Sequence, residues 1–168
     1  CYVDQECLEH RGFSGWWFFY GISEILQRHL LAEIRGEMED SEFVTLVVDC
    51  STLRHIKERG KNALQLLVRF VRKGKQHNRA VGLWGIDGHG SGIMLDGVLD
   101  VLRRLAGEET EGDGALKAIL KKVIAVSCDD ENANTGCDNG MIVQLSELVG
   151  RNILSLVDGP HLLQTAMK

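Results

Sequence analysis

A chain of 168 residues with 44% apolar, 26% charged and 6% aromatic content can bury one sizeable core and fits a single soluble globular domain. Its apolar runs are strand-sized, which excludes a membrane-spanning helix, and residues 12–21 lack the basic flank and small-residue cleavage site of a signal peptide. A net charge of −5 argues against a surface given over wholly to nucleic acid.

The five cysteines, Cys1, Cys7, Cys50, Cys128 and Cys137, are odd in number and irregularly spaced, with no Cys-x-x-Cys among them. A zinc ribbon or thioredoxin-type site is therefore not supported. Cys50 and Cys128 close or follow apolar runs and are expected to be reduced core thiols, as in an intracellular protein. The chain opens on Cys1 rather than Met, the expectation for a processed or excised product.

Residues 1–13 show no period and read as a lead-in to a domain covering 14–168. Ser14 is a candidate N-cap for a helix whose stripe is Phe19, Ile22, Leu26, Leu30 and Ile34. Trp16, Trp17, Phe18, Phe19 and Tyr20 exceed what one stripe can hide, so this helix is expected to meet a missing segment, a protein partner or a second copy. Acid-rich residues 36–41 are expected to close it. Residues 43–52, Phe-Val-Thr-Leu-Val-Val-Asp-Cys-Ser-Thr, then read as a strand buried on both faces. Such a strand cannot hold a charge inside, which places Asp49 at its carboxyl end, where open α/β sheets bind ligands.

Residues 63–72 alternate Leu64, Leu66, Val68 and Phe70 with Gln65, Leu67, Arg69 and Val71, the period of a strand. A polar turn over 73–78 leads to a third strand over 80–86, which predicts an antiparallel meander. Between Leu53 and Ile86 nine basic residues face the single acid Glu58. This stretch is either a solvated, edge-protecting hairpin or a phosphate-contacting patch, with Arg69, Arg72, Lys73 and Lys75 as its candidate nucleic-acid residues.

The run Asp87-Gly88-His89-Gly90-Ser91-Gly92 opens a helix with a stripe of Met94, Val98, Val101 or Leu102, and Leu105. It matches neither Gly-x-Gly-x-x-Gly nor a Walker loop, so a nucleotide-binding domain ranks third among the functional readings. An acidic loop over 107–114, a short helix over 115–122 and an uncharged strand over 123–127 follow. Cys128-Asp129-Asp130-Glu131 come directly after that strand. A polar turn leads to a helix on Met141, Leu145, Leu148 and Val149, with Gly150 as its C′ residue. A fifth strand over 152–157 precedes a last helix that starts near Pro160 and carries His161.

The order is helix, three meandering strands, helix, strand, helix, strand, helix. Helical crossovers make strands one, four and five parallel neighbours. If the fourth lies against the first, Asp49 and Asp129 meet at one sheet edge, in a ribonuclease-H-like arrangement. Two aspartates there would offer hard oxygen ligands to Mg²⁺ or Mn²⁺ for two-metal phosphodiester chemistry. Either aspartate alone reads more simply as a turn or helix-cap residue.

Residues 43–52 resemble the first catalytic strand of hAT-superfamily transposases, and 128–136, Cys-Asp-Asp-Glu-Asn-Ala-Asn-Thr-Gly, resemble their second motif. Helix 22–34, strand 64–71, helix 94–105 and the terminal strand with His161 fall in that family's order. The resemblance covers residues 14–168. It implies a ribonuclease-H-like fold, a five-stranded mixed sheet flanked by helices, in a nuclear protein that cuts and joins DNA. It makes Asp49 and Asp129 the first two acids of an Asp-Asp-Glu metal triad, and His161 the histidine of a Cys-x-x-His motif near the scissile DNA. Cys50, Asp130 and Asp158 depart from the family pattern, and the third acid and the helical insertion before it fall beyond residue 168. The resemblance therefore implies metal binding that is weak or lost, and impaired catalysis in a transposase or a domesticated descendant. The alternative is a non-catalytic nuclear module that keeps the fold and binds DNA or protein.

Overall fold

The computed structural model describes residues 15–52, 61–88, 90–107, 114–129 and 132–157. Helix α1 (Gly15–Glu39) leads into β1 (Val44–Thr52), β2 (Lys61–Arg72) and β3 (Lys75–Asp87). Helices α2 (Ser91–Ala106) and α3 (Gly114–Lys122) precede β4 (Val123–Cys128). The single turn α4 (Asn132–Thr135), α5 (Met141–Val149) and β5 (Leu154–Val157) complete the order. The five strands form one sheet, β3-β2-β1-β4-β5. The first three pair antiparallel, while β4 joins β1 and β5 joins β4 in parallel. The chain is thus an α/β domain with the expected meander and two parallel strands.

The meander closes tightly. Arg72 pairs with Lys75, so only Lys73 (φ 50°) and Gly74 (φ 72°) make the turn. Two consecutive positive φ angles twist with the strands they join, which lets β3 start at Lys75 where a longer polar loop was expected.

Alternation along β2 buries Leu64, Leu66, Val68 and Phe70 and leaves Gln65, Arg69 and Val71 exposed. Helix α2 packs on β2 and β3, α1 packs on α2 and the same two strands, and α3 and α5 pack on α2. All four therefore lie on one face of the sheet. The stripe on α2 is fully inside, with both Val101 and Leu102 buried alongside Met94, Val98 and Leu105. Gly97 lets this helix approach the sheet: a Cβ there would stand 2.8 Å from Ile86 Cγ2 and 3.4 Å from Leu64 Cδ1.

Two expectations are corrected. Strand β1 is not buried on both faces. Val44, Leu46 and Val48 face the core, whereas Thr45 and Val47 are half-buried and Asp49 is exposed. The face they share also carries Phe43, Val71, Leu83, Leu154 and Leu156, which are 43–63% exposed, and among the described residues no helix covers it. Since this face is wet, Asp49 need not terminate the strand, and β1 runs on to Thr52 through its pairing with β2.

Helix α1 closes at Glu39, within the expected 36–41, but of the expected stripe Ile34 alone is buried among the described residues, with Ile22 half-buried. It docks through Leu31, Ile34 and Met38, while Ile25, Leu26 and Leu30 are more than half exposed. Its last turn persists because Lys122 Nζ donates to the carbonyls of Met38 and Glu39, each at 2.9 Å. A cation at a helix C-terminus also offsets the negative end of the helix dipole.

Candidate functional site

Parallel pairing of β1 with β4 runs to Val47↔Ser127. Asp49 and Asp129 each lie two residues beyond that pair, so both come at the same end of the parallel pairing, Asp49 still within β1 and Asp129 just past the end of β4. Asp49 remains paired with Gln65 on its other side. Asp129 follows the end of β4 and is half-buried.

The two carboxylates differ in support. Asn134 on α4 donates its Nδ2 to Asp129 Oδ1 in a short hydrogen bond, which fixes the carboxylate's orientation. Asn134 is itself buried, and its Oδ1 accepts no hydrogen bond among the described residues. The turn is compact: a Cβ at Gly140 would collide with the backbone of Gly136 and Asn134. Asp49 stands in solvent without such a clamp.

Helices α2 and α5 both begin at this sheet end. Their N-caps, Gly90 and Gly140, make no side-chain capping bond, so the first N–H groups of each helix are not taken up by a cap side chain. Gln144 ties the two starts together, donating from Nε2 to Ser91 Oγ at 2.9 Å and to Asn139 at 3.0 Å. Across the sheet Asn62 donates to the carbonyl of Gly88 at 3.1 Å. Gly88 takes φ 125°, a conformation that only glycine adopts readily.

Hard oxygen donors suit Mg²⁺ or Mn²⁺. Asp49, Asp129 and the unsatisfied amide oxygen of Asn134 are donors of that kind. Among the described residues no group of three His, Cys, Asp or Glu side chains comes together, and Asp130 and Glu131, which follow Asp129, lie outside them.

Of the basic stretch, expected as either a solvated hairpin or a phosphate-contacting patch, the described residues are partly paired. Arg69 and Arg72 lie three residues apart on β2 and therefore point to opposite faces. Arg69 Nε donates to Asn78 Oδ1 at 2.8 Å, and Arg72 is ion-paired with Asp40 at 3.0 Å. Lys73 and Lys75 stand exposed at the turn, while Arg79 is held by Glu37. His161, the basic residues at 54, 57 and 59, and the aromatic side chains at 16–20 lie outside the described residues. Cys50, Cys128 and Cys137 are thiols, with Cys128 buried.

Sequence reasoning took 132–136 for a polar turn and did not single out Asn134 for a role. The available signal was an amide five residues beyond a strand-terminal aspartate, close enough to fold back on it. Gln144 had no comparable signal, since its partner Ser91 is 53 residues away.

No family model and no curated protein matches this chain. A similar solved structure is the PPX-GPPA enzyme of Aquifex aeolicus, with a TM-score of 0.31 and 10% identity. The match covers 68% of this chain and 36% of that one, so the chain spans about a third of that protein's length. Likeness of this degree says nothing of activity.

Proposed function

We propose that this chain is the ribonuclease-H-like core of a hAT-type DNA transposase or of a domesticated derivative, acting on DNA in the nucleus. The observation that carries the reading is the parallel pairing of β1 with β4 down to Val47↔Ser127, two residues short of Asp49 and of Asp129, in a β3-β2-β1-β4-β5 sheet. Mg²⁺ or Mn²⁺ would be held by these two carboxylates, and when bound would supply Lewis-acid charge to phosphodiester oxygens. Asn134 orients the Asp129 carboxylate. The helix starts at Gly90 and Gly140 bring partial positive charge to the same sheet end, where a phosphate is stabilised. Two carboxylates by themselves support metal binding weaker than a full triad, and impaired catalysis. Isothermal titration of Mn²⁺ into wild type and into an Asp49→Ala, Asp129→Ala double variant tests this. Binding heat in the wild type alone is expected; equal heats in both remove the metal site.

The second reading, a non-catalytic module, draws support from the middle of α1. Ile25, Leu26 and Leu30 are exposed there, a surface suited to self-association or a protein partner. Sedimentation of wild type beside a Leu26→Glu, Leu30→Glu variant separates the cases. A concentration-dependent dimer lost in the variant favours the module, and monomers throughout count against self-association.

A further inference from the structure

A cleft of about 840 Å³ lies between α1 and α2, above β3, in the helix layer and so away from the open face that carries Asp49. Its floor is apolar, with Leu31 and Leu105 both buried. Its walls are cationic. Arg28 and Arg35 line it from α1, two turns apart on one helix face, and Arg103 and Arg104 line it from α2. Glu24 and Asp100 are the carboxylates on the lining, and each is held by an arginine within a turn of its own helix, at 2.7 and 2.8 Å.

Arg35 and Arg104 differ from the other two. Among the described residues neither is ion-paired. Arg35 donates through Nη1 to the Ala106 carbonyl at 2.6 Å, which anchors its stem and leaves further N–H groups for another acceptor. Arg104 lies over the Trp84 ring, 3.9 Å from its centroid, a cation–π contact on the wall of the cleft. Trp84 meets the Arg104 guanidinium from one side, and a planar aromatic group can stack on it from the other. Forked guanidinium donors around it match phosphate oxygens.

We infer that this cleft binds a nucleotide unit, with its phosphates on Arg35, Arg28 and Arg103 and its base stacked on Arg104. The chemistry is shared by a single nucleic-acid strand and by a free nucleoside triphosphate. An isolated phosphate would fill little of a cleft whose volume is that of an ordinary ligand site. The acids at 108–113 lie outside the described residues. The inference does not rest on the metal pair and holds for an enzyme or a module alike.

Fluorescence anisotropy at low salt with a labelled oligothymidylate, and Trp-quenching titrations with ATP, test it on the full chain, with tripolyphosphate as a charge-only comparison. Binding of the strand or of ATP is expected, weakening steeply with NaCl, with tripolyphosphate weaker than either. Strand binding without ATP binding identifies nucleic acid as the source; ATP binding without strand binding identifies a free nucleotide. Arg104→Lys, which keeps the charge and loses the plane, should weaken binding about tenfold, the loss of one stacked base contact. Arg28→Gln should do the same through the phosphate. Since Arg35→Ala also removes the contact to Ala106, these two variants decide the matter. The Asp49→Ala, Asp129→Ala protein should bind as wild type does, which separates this site from the metal pair. No binding of either ligand at low salt, unchanged binding in both arginine variants, or tripolyphosphate binding as tightly as ATP overturns the inference.

Discussion

Arg79 on β3 grips Glu37 on α1 with two parallel hydrogen bonds, Nε to Oε2 at 2.8 Å and Nη2 to Oε1 at 2.9 Å. The hydrogen bond from Arg79 holds the Glu37 carboxyl below its ordinary range, against a smaller opposing effect of burial. A depressed carboxyl contributes stability above its unfolded value and loses that contribution as pH falls through its folded one. Thermal melts of wild type and Glu37→Gln should therefore differ at pH 7, and the gap should close as pH drops below about 4.3. A gap that widens on acidification would contradict the linkage. The pair is partly exposed, so added salt should also narrow it.

Gly97 sets how closely α2 approaches the sheet. Replacing it with Val places carbon where Ile86 Cγ2 and Leu64 Cδ1 already stand, and the core can yield only by shifting the helix. Overpacking of this kind costs about 1–3 kcal/mol, which urea denaturation would read as a lower midpoint at unchanged slope. Gly85→Val on the neighbouring strand has nothing within 4 Å of its Cβ and serves as the comparison.

Asn134→Ala removes a buried donor from a carboxylate. The loss of a hydrogen bond to a charged group is worth about 1.5–3 kcal/mol, so the variant should be measurably less stable. If Asp129 is a metal ligand, Mn²⁺ affinity should fall in the same variant under conditions where it remains folded. Circular dichroism melts and metal titration on one preparation would check both.

Lys122→Met leaves the end carbonyls of α1 without their cation. The last turn should fray, at a cost of about 0.5–1 kcal/mol, with faster amide hydrogen exchange confined to that turn. Uniform exchange across α1 would show that the helix end is held by packing alone.

Much of the layout was legible from local periodicity. The alternation of Leu64, Leu66, Val68 and Phe70, the α2 stripe from Met94 to Leu105 and Gly150 as a left-handed cap (φ 73°) each depend on residues within a few positions. What was misread or left open depended on distant partners. Thr45 and Val47 look in sequence like core residues, and only the side on which every helix packs reveals that they are not. The turn at which α1 ends within 36–41 depends on Lys122, more than 80 positions away. Between the two readings of the basic stretch the sequence could not choose, because Asp40 and Glu37, the partners of Arg72 and Arg79, come 32 and 42 residues before them. The juxtaposition of Asp49 and Asp129 was an inference from element order, and the expected neighbourhood of β1 and β4 is present, with pairing to Val47↔Ser127.

The two sides of β1 are assembled over very different spans of chain. On one side β1, β2 and β3 follow one another directly, the last two across a two-residue turn. On the other, Val44 pairs with Val123, so closing that contact restrains a loop of nearly 80 residues. Loop-closure entropy makes the second pairing the slower one, and the meander is the natural early unit of folding. Asp49 is in place once the meander forms, whereas Asp129 arrives only with β4. The carboxylate pair is thus a late product of folding, absent from any intermediate that holds the meander alone.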